Sequence, residues 1–568
     1  MRFLDAVGPA ADAELTAWHA STEDPAALSH RELMARALAF VGAWVRDERT
    51  GGAAPVRPDD LGTAHGYVRH LAARQSAGGT FVGGDNVLSP PDSAFTINDV
   101  CDALELLAPY RATDTAAAAL ADDLDAIVRR ATPALTTGGV HTPNHRWEIA
   151  AALARIHRLH PAPALLARID EWLAEGPDID ADGLWSERSP NYAAAVSCPS
   201  FLVLAEVLDR PALVDPVRRS LDATLALLLP DDTVETVQSR RQDQSQPFGI
   251  GPFASLLWNV AVLDRRGDLA AVAARAAVAE MWQPATVAAR AMTDPLLAEP
   301  LPEGAPLPLG TTVFPAARLV HVREADRDVV LFAGSDVPAQ GHVRSGLANS
   351  PTFLRVHAGD VVLTDVRLSR EFFGLGPFRP TTLEDLGDGR YRLTERVSAG
   401  YHQPLPTEAL RPDGDYALGD EGRFSASMAF RDRAVDTVSM DTTVDVTITP
   451  DAVVLDVTTA GADVPWSLQL TFRHGGTFSG VRTDAATGER VLDSGTGAYR
   501  VGADSATDTS AGVVTFGPGN GSGPAQPAFY APGQDYAFLG GTDRPRGEHV
   551  HVTGRSPGHV RIVIGTAR

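Results

Sequence analysis

The sequence contains no lysine: every one of the 49 basic residues among its 568 is an arginine. That excludes a Schiff-base lysine, a pyridoxal attachment point and any P-loop. Cysteine is scarce. Cys101 and Cys198 are the only two, so there is no CxxC pair and no zinc-ribbon spacing, and two buried free thiols are expected. Long apolar runs are missing too: no stretch approaches the ~20 residues of a membrane span. The opening MRFLDAVGPAADAELTAWHA has no basic region followed by an apolar one, which predicts a cytoplasmic location. Positive charge is in short supply, with 72 acidic residues against 49 basic and a formal net charge of −23. A nucleic acid or an anionic membrane is therefore not expected as a partner, because both require a basic footprint. An anionic small substrate would need a local cluster of arginines. The sequence shows no GxSxG elbow, no GxGxxG after a strand and no HExxH. Serine-esterase, nucleotide-dependent and zinc-protease readings lose support accordingly.

The chain has the 44% hydrophobic and 21% charged residues of a soluble globular protein, and its length calls for two or three domains. Its two halves differ in texture. From about residue 10 to 295, segments such as 32–48, 118–131, 147–160, 163–175, 200–210 and 215–229 place apolar residues at three- and four-residue spacing, which predicts helices joined as antiparallel hairpins. The Pro-rich stretch AEPLPEGAPLPLG (298–310) cannot be regular helix or central strand. Beyond it, short runs rich in Val, Thr and aromatic residues alternate with turn signals such as GDG and GTG, which predicts antiparallel sheets. The expected organisation is a helical domain over 1–305 and an antiparallel β-sandwich or β-sheet domain over 306–568, an α+β multidomain chain.

Three segments of the helical half concentrate polar chemistry. In HTPNHRWEIAAALA, Thr142 reads as an N-cap and Pro143 as the first helical position. Asn144, His145, Arg146 and Glu148 then crowd the first turns, with Asn144 and Glu148 at i,i+4. A helix N-terminus favours an anion and a neutral imidazole, so this turn suits a carboxylate held beside His145. A capped helix with a solvated polar turn is the plainer reading. In DGLWSERSPNYAAAVS, a helix beginning near Pro190 would give Tyr192 small neighbours and room around its hydroxyl; a packed, hydrogen-bonded tyrosine is the commoner fate. In ETVQSRRQDQSQPFG, Arg240 and Arg241 could clamp a carboxylate bidentately or simply decorate a polar loop. In the β half, His342, Asp365 and His402 are widely spaced candidates for a structural divalent metal.

Asn-His-Arg-Trp-Glu at 144–148, then DG-x-W-x-ER-S-P-x-Tyr at 182–192, then an all-β half, resembles the heparinase II/III-like group of (α/α)-toroid polysaccharide lyases. The resemblance implies an incomplete (α/α) toroid followed by antiparallel sheets, acting on a uronic-acid-containing saccharide. It implies Tyr192 as the catalytic acid, Asn144 and His145 as the groups that neutralise the uronate or remove its proton, and Glu148 as the residue orienting them. Arg146, Arg240, Arg241, His342 and His402 are the candidate substrate contacts. The group's His-x-His-x-Asp run is replaced here by SGLANSPTF, which removes the usual support for the β-domain metal. The chemistry needs no cofactor: the carboxylate is neutralised, a base takes the C5 proton and an acid protonates the leaving O4. The competing readings are a glycoside hydrolase with paired carboxylates from Glu148, Asp182, Glu187 and Asp243, and a non-catalytic carbohydrate-binding protein.

Overall fold

The computed structural model describes residues 2–50, 59–502, 512–519 and 531–566. They divide into two compact units, one formed by Met1–Glu235 and Pro247–Pro308, the other by Thr236–Gln246 and Leu309–Arg568.

The first unit is helical. Its elements are α1 (Phe3–Ala20), α2 (His30–Thr50), α3 (Asp60–Arg74), α4 (Pro90–Leu107), α5 (Thr115–Thr137), α6 (Asn144–Leu159), α7 (Pro163–Ala174), the single turn α8 (Pro190–Tyr192), α9 (Cys198–Val207), α10 (Asp215–Ala226), α11 (Ala254–Asp264), α12 (Gly267–Ala276) and α13 (Pro284–Ala291). Burial sorts them into two layers. Helices α2, α4 and α6 are buried almost all the way round, α4 over fifteen of its eighteen residues, so each is enclosed by other helices. Helices α3, α5 and α7 bury only one stripe, for example Leu61, Ala64, Val68 and Leu71 on α3. The buried helices follow one another in space, α13 against α2, α2 against α4, α4 against α6 and α6 against α9, with the one-sided helices packed outside them. This is the alternating inner and outer arrangement of an (α/α) toroid. The two ends of the unit meet, since α13 also packs on α1. The Ala285 N–H donates to Glu14, and the Thr286 hydroxyl to the Ala35 carbonyl. Gly42 on α2 is required there, because a Cβ would stand 2.5 Å from that of Ala289.

The Pro-rich stretch is not a free spacer. Trp258 Nε1 donates to the Glu299 carbonyl at 3.0 Å, and the Ala305 N–H donates to Gly267 at 2.8 Å. The residues as far as Pro308 therefore belong with the helices.

The second unit is a two-sheet sandwich. A nine-stranded sheet runs in the order Arg482–Thr483, Arg490–Val491, Glu548–Arg555, Pro465–Phe472, Val361–Arg370, Leu354–Ala358, Arg327–Phe332, Leu319–Arg323 and Gly310–Phe314. An eight-stranded sheet runs Gly476–Ser479, Gly497–Val501, Gly512–Gly517, Gly558–Gly565, Ala452–Gly461, Val435–Thr449, Arg390–His402 and Thr382–Gly387. The ladders are antiparallel except where Val491 meets His551 in parallel. Alternate residues point inwards. Val329 and Leu331, Leu468 and Leu470, and Val550 and Val552 of the first sheet share one core with Val444 and Val446, Leu455 and Val457, and Ile562 and Ile564 of the second.

The grouping of Thr236–Gln246 with the sheets departs from the sequence expectation, which kept Arg240 and Arg241 among the helices. The physical reason is an ion pair: Arg240 donates through Nε and Nη2 to the two oxygens of Asp336, at 2.7 and 2.9 Å.

Candidate active site

The head of α6 differs from the expected cap in an instructive way. Pro143 is itself the N-cap, in a helical conformation, and α6 begins at Asn144. Thr142 caps through its carbonyl, which accepts the His145 N–H at 3.3 Å. That frees its hydroxyl, which donates to Asn144 Oδ1 at 2.9 Å. The Asn144 side chain is thereby fixed with its oxygen satisfied and its amide nitrogen not. Nδ2 is buried and has no hydrogen-bond partner among the described residues. An unmet buried donor costs about 1–3 kcal/mol, and any oxygen acceptor that reaches it, a water or a ligand oxygen, would relieve it. His145 follows on the same turn, buried, with its ring edge-on to His141 at 4.7 Å.

Glu148 does not turn towards these two. Its carboxyl accepts from Asn98 Nδ2 on α4 at 2.7 Å, so the expected orientation of Asn144 and His145 by Glu148 is replaced by a tie between neighbouring inner helices. Asn98 Oδ1 in turn accepts from Arg155 at 3.0 Å, and Arg155 pairs with Asp102 at 2.9 Å. Arg290 of α13 pairs with Asp99. Periodicity alone misses this array because its members sit on helices buried all round. The signal available was Asn98, Asp99 and Asp102 inside the otherwise apolar TINDVCDALELL.

Burial pushes the Glu148 carboxyl up to about 7, against the opposing pull of the Asn98 hydrogen bond and of Arg155, Arg31 and Arg290. The folded protein thus holds this proton at a pH where the unfolded chain has released it. The contribution of Glu148 to stability therefore falls as pH rises from about 4.5 through about 7, and the loss is complete above that. Glu148→Gln keeps an acceptor for Asn98 and removes the titration. The variant's stability relative to the parent is expected to be higher at pH 8 than at pH 5, by up to about 3 kcal/mol. Thermal melts of both proteins at the two pH values check this; an equal difference at both would show that Glu148 does not titrate in that window.

Arg146 is engaged elsewhere. It pairs with Glu175 at 2.6 Å and Asp178 at 3.2 Å and stacks on Trp147, so it braces the turn and is not presented as a substrate contact.

The second motif is built next to the first. Trp147 of α6 and Trp185 both pack on Phe201 of α9, at 5.0 and 5.3 Å between ring centroids. Arg188 takes a left-handed conformation with φ of 50°, and the Ser189 hydroxyl then accepts the Tyr192 N–H at 3.2 Å. Tyr192 ends α8, and Ala193–Ser197 forms a π-helical turn before α9. This turn packs against α6. Such turns are frequent at functional sites, and Tyr192 is followed here by the small residues Ala193, Ala194 and Ala195. Asn144, His145 and Tyr192 are thus carried on adjoining elements of one unit.

The remaining expected contacts lie in the β-rich unit. Arg240 is already neutralised by Asp336 and does not offer the bidentate fork expected of it. The Arg241 N–H donates to Ser239. His342 Nδ1 lies 3.4 Å from Asn349 Nδ2, and burial holds its imidazole below the usual range. His402 ends its strand with its ring 4.9 Å from Phe430. Asp365 accepts from Thr352 at 2.6 Å. His342, Asp365 and His402 do not come together as metal ligands: no group of three His, Cys, Asp or Glu suited to a metal occurs among the described residues. Both cysteines are free and buried, and no helix among the described residues is long and apolar enough to cross a membrane.

With this geometry, the likeness to solved structures takes on meaning. Heparinase III superposes on 90% of this chain, and on 76% of its own, with a TM-score of 0.55 and 11% sequence identity. The chain shares the fold of heparinase III. A mutant of heparan sulfate lyase HepC from Pedobacter heparinus covers 94% of this chain and 76% of its own at a TM-score of 0.47 and 13% identity. Chondroitin AC lyase from Streptomyces coelicolor, in complex with chondroitin sulphate, covers 99% and 83% at 0.43 and 14%. No family model matches the sequence. In sequence the chain is 31% identical over 240 residues to the CC-adding tRNA nucleotidyltransferase of Deinococcus radiodurans. That stretch is 42% of this chain and 56% of that protein, little more than half of the relative's length.

Proposed function

We propose that the protein is a carbon–oxygen lyase that cleaves a uronic-acid-containing poly- or oligosaccharide by β-elimination. The observation that carries this reading is the Asn144 amide, buried and without an acceptor, beside His145 at the head of an inner helix. Asn144 Nδ2 and His145 receive the C6 carboxylate and draw off charge as the C5–H bond breaks. His145 or Tyr192 takes that proton. The electron pair forms the C4=C5 double bond, the C4–O4 bond breaks, and Tyr192 protonates O4. The atoms balance without a cofactor. A cytoplasmic location belongs to the same proposal, with short oligosaccharides as substrates.

The sequence likeness to a tRNA nucleotidyltransferase does not alter this reading, because tRNA binding needs a basic footprint and the formal charge here is −23. Paired-carboxylate hydrolysis is weakened by two placements. Glu148 is bonded to Asn98, and Asp243 to the Ser239 hydroxyl.

Incubating the purified protein with a panel of uronate-containing oligosaccharides tests the proposal. Cleavage is expected to raise ultraviolet absorbance through the new double bond. Cleavage without absorbance would replace it with hydrolysis, and binding without cleavage would leave a carbohydrate-binding protein.

A further inference from the structure

The Asn144 side chain is 1% exposed, so its neighbours fix the plane of its amide. They do not choose which end of the amide faces which way. The oxygen and the amino group differ little in size, and the last torsion of an asparagine is soft and roughly two-fold. Thr142 Oγ1 lies 2.9 Å from Asn144 Oδ1, and Nδ2 is the end left buried without a partner among the described residues. The side chain therefore shows N–H groups to whatever oxygen reaches it. Turned over, it would show its carbonyl oxygen, which an oxyanion avoids. A second effect follows from the direction of the bond. A hydroxyl proton on Oδ1 draws electron density out of the amide nitrogen, and hydrogen bonds linked in this way strengthen one another.

Thr142 is itself held from behind. Its carbonyl accepts the His145 N–H at 3.3 Å, and Pro143 after it is fixed at a φ of −58°. The Pro143 carbonyl accepts twice from Arg146, from the N–H at 3.2 Å and from Nε at 3.1 Å. The Arg146 guanidinium is anchored in turn by Glu175 and Asp178. Threonine is β-branched and stiff at its first torsion, so the hydroxyl is carried on a rigid support. The cap of α6 is made by the Thr142 carbonyl and not by its side chain, so the helix does not need this hydroxyl.

We infer that Thr142 is a positioning residue: its hydroxyl holds and polarises the Asn144 amide, so that Nδ2 meets the charge that builds on the substrate carboxylate as the C5–H bond breaks. The inference rests on the proposed function for that substrate and reaction, and Thr142 acts only through Asn144.

Two substitutions in the full chain separate the hydroxyl from the shape. Thr142→Val keeps the shape and removes the hydroxyl, and Thr142→Ser keeps the hydroxyl and removes the methyl. With alginate, pectate or hyaluronan oligosaccharides, Thr142→Val is expected to lower kcat about tenfold and to change KM by less than about threefold. The carboxylate is bound throughout, but the added charge appears only in the transition state. Thr142→Ser is expected to keep kcat within about threefold of the parent. A second readout needs no ligand. In a double-mutant cycle read by urea denaturation, Thr142→Val is expected to lower the midpoint in the parent and to leave it unchanged in an Asn144→Ala background. An equal lowering in both backgrounds would make Thr142 merely structural and overturn the inference. A serine variant as impaired as the valine variant would overturn it too. Unsaturated product formed by Thr142→Val at the parental kcat would end this inference alone. A non-additive cycle in a protein that forms no unsaturated product from any of the three would end the lyase reading and leave the hold of Thr142 on Asn144 standing.

Discussion

Tyr192→Phe is expected to lower turnover about 10²–10⁴-fold, the usual size of a general acid–base contribution, while leaving the fold in place. The substitution keeps the ring and removes one hydroxyl. The local backbone is held by groups it does not touch: the Ser189 hydroxyl on the Tyr192 N–H, and the packing of the following π-helical turn against α6. Single-turnover kinetics on a uronate oligosaccharide, read by ultraviolet absorbance, measure the loss. If Tyr192 supplies the proton to O4, kcat falls and KM changes little. His145→Ala should behave differently, lowering kcat and raising KM together, because a carboxylate contact disappears with the imidazole. A Tyr192→Phe enzyme with parental kcat would remove the central residue of the mechanism.

Arg155→Met is expected to be the most damaging single substitution in the helical unit, at about 3–5 kcal/mol, the cost of leaving a buried charge without its partner. Asp102 is 2% exposed and pairs with Arg155 through both oxygens. Asn98 Oδ1 accepts from the same guanidinium. Methionine fills most of the space but satisfies neither. Chemical denaturation should show a lower midpoint with an unchanged slope. The double variant Arg155→Met with Asp102→Leu should recover a large part of the loss, since an apolar pair can replace a buried ion pair. A single variant as stable as the parent would show that the charges are solvated in the native protein.

The switch from helix to sheet is legible in the sequence, because the spacing of apolar residues changes from three and four to two across the Pro-rich stretch. Helix α4 could not be read this way. It is enclosed on all sides, and Asp92, Ser93, Thr96, Asn98, Asp99 and Asp102 interrupt its apolar residues, so no single stripe exists to find. Asn144 and His145 were legible as the first turn of a helix, because a Thr-Pro pair so strongly marks a beginning. What the side chains face was not, since Asn144 is set by a hydroxyl two residues away and Glu148 by an amide fifty residues away. Arg240 shows the limit clearly. Adjacent in sequence to helical segments, it is drawn to the sheets by Asp336, 96 residues on, and no local pattern announces such a pair.

The seating of α13 between α1 and α2 has a consequence for how the chain is made. Its hydrogen bonds reach residues 251 and 271 positions earlier. Loop closure over such distances slows folding relative to local contacts. As the polypeptide leaves the ribosome amino end first, α1 and α2 emerge long before the helix that covers Gly42. Their apolar faces wait, uncovered, through the 251 to 271 residues that separate these partners. Premature termination anywhere before α13 would therefore release a fragment with an open, adhesive edge. Such a fragment invites aggregation or chaperone capture, whereas the completed helical unit presents that edge to nothing but its own last helix.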